Sequence, residues 1–95
     1  MKPIRLSRHA LSKRESRGFS EEEVEETIRN GPWTPAKAER QECYWDIPYN
    51  DFWNGKRYAV KRIRAIFVEE PDAIAVVTVI TYYIRRSHDE TRLRP

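Results

Sequence analysis

The sequence predicts an α+β domain in which two N-terminal helices pack on a three- to four-stranded antiparallel sheet. Three observations carry that prediction. Helix caps and glutamates gather before Gly31, β-branched and aromatic residues dominate after Ala38, and Asn54-Gly55 separates two of the apolar runs. The 95 residues suit one domain, read as residues 1–86, followed by a basic flexible tail over 87–95. Charged residues make up 35%, but three Trp, five Tyr and three Phe supply enough apolar bulk to argue against a disordered chain.

Ser7 is placed to cap a first helix that starts at Arg8 and runs about ten residues, with Gly18 as its left-handed C-terminal residue. The second helix is predicted over 21–30. Ser20 and Glu23 form a capping box, Phe19 staples onto Val24, and the glutamates at 21–23 complement the positive end of the helix dipole. Val24, Thr27 and Ile28 make a narrow apolar stripe before Gly31 and Pro32 stop the helix. A connector with two prolines and Trp33 follows. Strands are then read over 41–48, 57–69 and 73–84, with Ile4 to Leu6 as a candidate edge strand. Asn54-Gly55 and Glu70-Pro71-Asp72 mark the turns, so consecutive antiparallel pairing is the simplest topology. The last strand is apolar at Ile74, Val76 and Ile80 and also at Val77 and Val79, which predicts a central strand covered on both faces.

The net charge of +3 favours an anionic partner, and its distribution is uneven. Acidic residues crowd Glu21, Glu22, Glu23, Glu25 and Glu26. Basic ones crowd Lys56, Arg57, Lys61, Arg62 and Arg64, and again the tail. Cys43 is the only cysteine, which excludes an intrachain disulfide, and with only His9 and His88 beside it zinc-ligand spacing is absent; no metal and no cofactor are expected. No apolar run approaches the roughly 20 residues of a membrane span, and the N-terminus lacks the apolar core of a signal peptide. The expected compartment is the cytoplasm, with no membrane partner.

Four residues are candidates for chemistry. His9 is either a surface histidine or a proton-transfer group, since imidazole titrates near neutral pH. Arg14 falls between the directions of Ala10 and Leu11, so it either pairs with a glutamate of the second helix or aims a guanidinium into a cleft to hold phosphate. Arg17, beside Gly18, could do the same or answer the helix C-terminus. Thr78 is a strand former or a hydroxyl donor. For nucleic-acid binding, Arg62 and Arg64 share one strand face, with Tyr58 expected on the same side and Arg57 added to the set; this is either an ordinary solvated face or a surface for phosphate contacts and base stacking. The three tryptophans read as packing residues.

The elements His9-Ala10, Arg14, Arg17-Gly18-Phe19-Ser20, Glu23-Val24, Ile28, Asn30-Gly31 and Val76-Val77-Thr78-Val79 resemble a bacterial family classed as a domain of unknown function. Its members resemble toxins of toxin-antitoxin pairs, grouped with barnase, EndoU, colicin and RelE folds. The resemblance implies a metal-independent ribonuclease, in which a ribose 2'-hydroxyl attacks its own phosphate. His9 would move the proton, Arg14 and Arg17 would hold the phosphate, and Thr78 would donate a hydrogen bond. It also implies RNA or a ribosome as target and a small acidic antitoxin as partner. Two alternatives stand beside it: a non-catalytic RNA- or ribosome-binding module, and a protein-interaction domain. The nuclease reading requires that the helix residues converge with the basic sheet face around one cleft.

Overall fold

The computed structural model describes residues 1–85 and is an α+β structure with three short helices and a five-stranded mixed sheet. The strands are β1 (Ile4–Leu6), β2 (Thr34–Ala36), β3 (Arg40–Trp53), β4 (Lys56–Glu69) and β5 (Ile74–Ile84), in the spatial order β1-β5-β4-β3-β2. The long strands pair antiparallel, as expected, but β1 lies parallel to β5, with Ile4 opposite Ile74 and Leu6 opposite Val76. Three residues carry no local signal for pairing direction. The chain between β1 and β5 contains every other element, which lets the two strands meet in parallel. The basic tail expected over 87–95 lies outside the described residues.

The first predicted helix is divided into α1 (Arg8–Ser12) and α2 (Arg14–Arg17) at Lys13. Ser7 caps α1 through Ala10 N at 3.0 Å, and Gly18 ends α2 at φ 74. Between them, side chains compete for backbone carbonyls. Ser12 Oγ donates to His9 O at 2.6 Å and Arg14 Nε donates to Leu11 O at 3.2 Å. Only Ala10 of these two helices is buried, so packing does little to hold one continuous helix. The second predicted helix is α3 (Glu21–Asn30), with both arms of the Ser20–Glu23 capping box formed. Phe19, Val24 and Ile28 enter the core together.

The predicted connector contains β2, whose Pro35 is tolerated because the strand lies at the sheet edge. The Asn54-Gly55 turn forms as a two-residue hairpin, with both φ values positive at 51 and 81, the geometry of a type I′ turn. β3 is longer than the sequence suggests and passes a bulge between Pro48 and Asp51, where Asn50 takes φ 49.

All helix packing falls on one face of the sheet, where Cys43, Ile63, Ala65, Phe67, Ile74, Val76 and Val79 are buried under Ala10, Val24 and Ile28. β5 explains its two apolar sets through a register shift. Ile66 stands opposite Thr78 and Phe67 opposite Val76, leaving Val77 as an extra residue. The shift keeps Ile74, Val76 and Val79 on the helix side and turns Thr78, Ile80 and Tyr82 to the other face, which no described element covers. The expected double coverage of this strand is therefore corrected to one face.

Thr81 returns to the helix side, and its hydroxyl oxygen is buried without a hydrogen-bond partner among the described residues. Thr81→Val keeps the branched shape and removes the orphan group. It is expected to raise unfolding stability by about 1 kcal/mol, read by denaturant titration.

Candidate nucleic-acid interface

The basic stretch over 56–64, continuous in sequence, is split three ways by strand geometry. Residues of β4 alternate between faces, so Lys61 points to the core with Ile63, Ala65 and Phe67, while Arg62 and Arg64 point away. Lys56 and Arg57 lie at the hairpin end. The three groups meet different fates.

Lys61 is buried and was not singled out by the sequence. Its ammonium donates to Gly18 O at 2.9 Å and pairs with the Glu23 carboxylate at 2.9 Å, and it sits 5.1 Å from the Tyr49 ring centroid. It thus answers both the end of α2 and the capping-box glutamate of α3. Its odd position among Ile63, Ala65 and Phe67 is the sequence signal that marks it as core-facing.

Arg62 and Arg64 stand on the face away from the helices, each neutralised by a carboxylate of β3. Arg62 binds Asp46 through two nitrogens at 2.6 and 3.0 Å, and Arg64 binds Glu42 at 2.5 Å. These hydrogen bonds hold both guanidinium groups above their ordinary pKa. Their aromatic neighbours are Tyr44, whose ring lies 5.1 Å from Arg62, and Tyr82. Thr78 is on this same face, opposite Ile66.

The hairpin end is different in charge. Among the described residues Lys56, Arg57 and Arg85 have no ion-pair partner, and all three are exposed. Arg57 lies 5.9 Å from the ring centroid of Phe52, which is 59% exposed, and Arg85 lies 6.0 Å from that of Tyr58. Tyr58 therefore sits with Arg85 and with Tyr83, 5.5 Å away, instead of with Arg62 and Arg64. Tyr83 anchors the group. It stacks on Trp53 at 4.8 Å, meets Tyr49 at 5.5 Å, and donates its hydroxyl to Arg17 O at 3.1 Å. A Cβ on Gly18 would stand 2.7 Å from Trp53, so glycine is required there both by φ and by the close approach of these rings.

The helix candidates do not assemble a site with the sheet. His9 is exposed on α1, and its imidazole makes no hydrogen bond among the described residues. Arg14 does not point to the core; it is exposed and pairs with Glu21 at 3.1 Å, the glutamate pairing the sequence allowed. Arg17 spends its guanidinium on Val79 O at 2.7 Å, capping a β5 carbonyl beyond the reach of β1. His9, Arg14 and Arg17 belong to the helices on one face of the sheet and Arg62, Arg64 and Thr78 to its other face, so the structure does not bring the two sets together in one cleft. The tryptophans pack as expected: Trp33 meets Phe67 edge-on at 4.9 Å, Trp45 donates to Glu26, and Trp53 stacks on Tyr83.

Burial pushes the Tyr83 phenol up to about 12, with the charges of Tyr49 and Glu23 adding to it. An unfolded tyrosine titrates at about 10. Above that pH the unfolded chain loses the proton first while the fold still holds it, so stability present below pH 10 is lost as pH rises toward about 12. Tyr83→Phe is expected to reduce this alkaline loss, read by thermal melts at stepped pH, and to remove the highest-titrating tyrosine from the ultraviolet absorbance curve.

No group of three or more His, Cys, Asp or Glu among the described residues is arranged to hold a metal ion, and no helix there is long and apolar enough to cross a membrane. A family model described as "Domain of unknown function (DUF4258)" matches residues 6–81. No curated protein and no solved structure matches the chain.

Proposed function

The chain belongs to that domain family, and on this premise we propose that it is an RNA-binding module whose contact surface is the hairpin end of the sheet. One observation carries the reading: Arg57 stands beside the ring of Phe52 and Arg85 beside that of Tyr58, with Lys56 next to Arg57 at the hairpin turn, and none of the three cations has a carboxylate partner among the described residues. Unpaired cations attract phosphates and release counterions, and an exposed aromatic face accepts an unstacked base. Arg62 and Arg64 contribute less, because each would have to give up a carboxylate to meet a phosphate. Binding is favoured over cleavage, since Arg14 is engaged by Glu21, Arg17 by a backbone carbonyl, and Thr78 lies on the face away from the helices.

The test is incubation of the purified chain with a labelled single-stranded RNA at low salt. Complex formation with the RNA recovered intact, and the same affinity for His9→Ala, is the expected result. RNA cleavage that His9→Ala abolishes would overturn the binding reading in favour of catalysis.

A further inference from the structure

The turn that joins β2 to β3 is closed by Arg40 N donating to Lys37 O at 3.2 Å, and its two central residues, Ala38 and Glu39, take φ 59 and 58. The β3–β4 hairpin meets the same demand with Asn54-Gly55, residue types that tolerate left-handed backbone; alanine and glutamate adopt it at a cost. This strained turn holds its first and last residues, Lys37 and Arg40, at one groove of about 660 Å³, within the size range of small-molecule sites. Arg64 and Glu42 also line the groove, on the face of the sheet away from the helices, and Pro35 and Ile66 supply apolar surface.

The groove is left positive. Glu42 is its one carboxylate among the described residues and is engaged by Arg64 at 2.5 Å, whereas Lys37 and Arg40 are exposed and have no ion-pair partner among the described residues. Glu39, in the same turn, does not line it. Cations of like sign in one cleft repel each other and focus a positive field, and an anion seated between them turns repulsion into attraction. A phosphate meets the guanidinium fork of arginine through two oxygens and leaves a third for an ammonium.

We propose that this groove binds a nucleotide, with the phosphate on Lys37 and Arg40 and the base against Pro35 and Ile66. A free mononucleotide and the end of an RNA strand share that chemistry. Nearly the whole of β3 separates the groove from the hairpin end, roughly 40 Å at the rise of an extended strand, so a short RNA held at one does not reach the other.

The experiment is an amide chemical-shift titration of the full chain at low salt with AMP, inorganic phosphate and a short single-stranded RNA in separate series. AMP is expected to shift the amides of Lys37, Arg40 and Ile66 saturably, with a dissociation constant of about 1 mM or tighter, and inorganic phosphate to shift the same amides more weakly. Lys37→Ala combined with Arg40→Ala is expected to raise the AMP constant at least about tenfold with an unchanged melting temperature, and the hairpin-end variants to leave it unchanged. RNA that displaces AMP from the groove identifies a strand end as the source of the nucleotide; RNA that shifts only hairpin-end amides identifies the free nucleotide. The absence of a saturable shift at the groove, an AMP affinity that the double variant leaves unchanged, or inorganic phosphate binding as tightly as AMP would overturn the proposal. None of these outcomes bears on RNA binding at the hairpin end, which is read on its own amides.

Discussion

Replacing Lys56, Arg57 and Arg85 together by alanine is expected to weaken RNA binding on the order of 100-fold at low salt. Each cation that meets a phosphate on a single strand contributes about 0.7 to the slope of log affinity against log salt, so three of them account for a slope of about 2. The triple variant should lose that part of the slope and bind almost independently of salt. Because the three side chains are exposed and make no ion pair among the described residues, their removal leaves the fold intact, which an unchanged melting temperature would confirm. Phe52→Ala addresses the other half of the surface. Loss of one stacked base is worth about 1–3 kcal/mol, so affinity falls roughly tenfold or more while the salt slope is unchanged. A loss of slope with Phe52→Ala, or none with the triple variant, would place the nucleic acid elsewhere.

The second large effect concerns the core. Phe67→Ala is expected to destabilise the protein by about 3–5 kcal/mol. Phe67 is fully buried on β4, with Trp33 packed edge-on against its ring at 4.9 Å, so its removal leaves a cavity in a close-packed interior. A domain of this size holds roughly 5–14 kcal/mol in total, so much of its stability would go. Phe67→Leu, which retains most of the volume, should cost far less, about 1–2 kcal/mol. Denaturant titration with an unchanged m-value checks both numbers.

What could be read from the sequence was local chemistry. The capping box of Ser20 and Glu23, the left-handed Gly18 and the Asn54-Gly55 turn act within a few residues, and each is found where the sequence places it. What escaped was set by distant contacts. The break at Lys13 depends on how little of the first segment is buried, and the parallel partner of β1 is chosen 70 residues away. The bulge at Val77 decides which of two apolar sets on β5 is core, and no side chain there announces it.

The candidate site shows the same division. The clustering of basic residues over 56–64 was legible, but pairing was not. Asp46 and Glu42 reach Arg62 and Arg64 only because β3 and β4 register them, and Glu23 reaches Lys61 only because α3 packs on β4. Once those pairs form, the cations of that stretch left without a partner among the described residues lie at the hairpin end, where Arg57 and Tyr58 belonged to the expected set and Lys56, like Arg85 of the neighbouring strand end, did not. Strand alternation applied from Phe67 backward would have separated Lys61 from its neighbours. It would not have located the carboxylates.

The most direct measurement is the affinity of the wild-type chain for a single-stranded RNA oligonucleotide, followed by fluorescence anisotropy between about 20 and 200 mM salt. The account predicts binding at the low end and a log–log slope near −2, abolished by the triple alanine variant. Absence of binding at the lowest salt, or binding whose slope that variant leaves untouched, would contradict it.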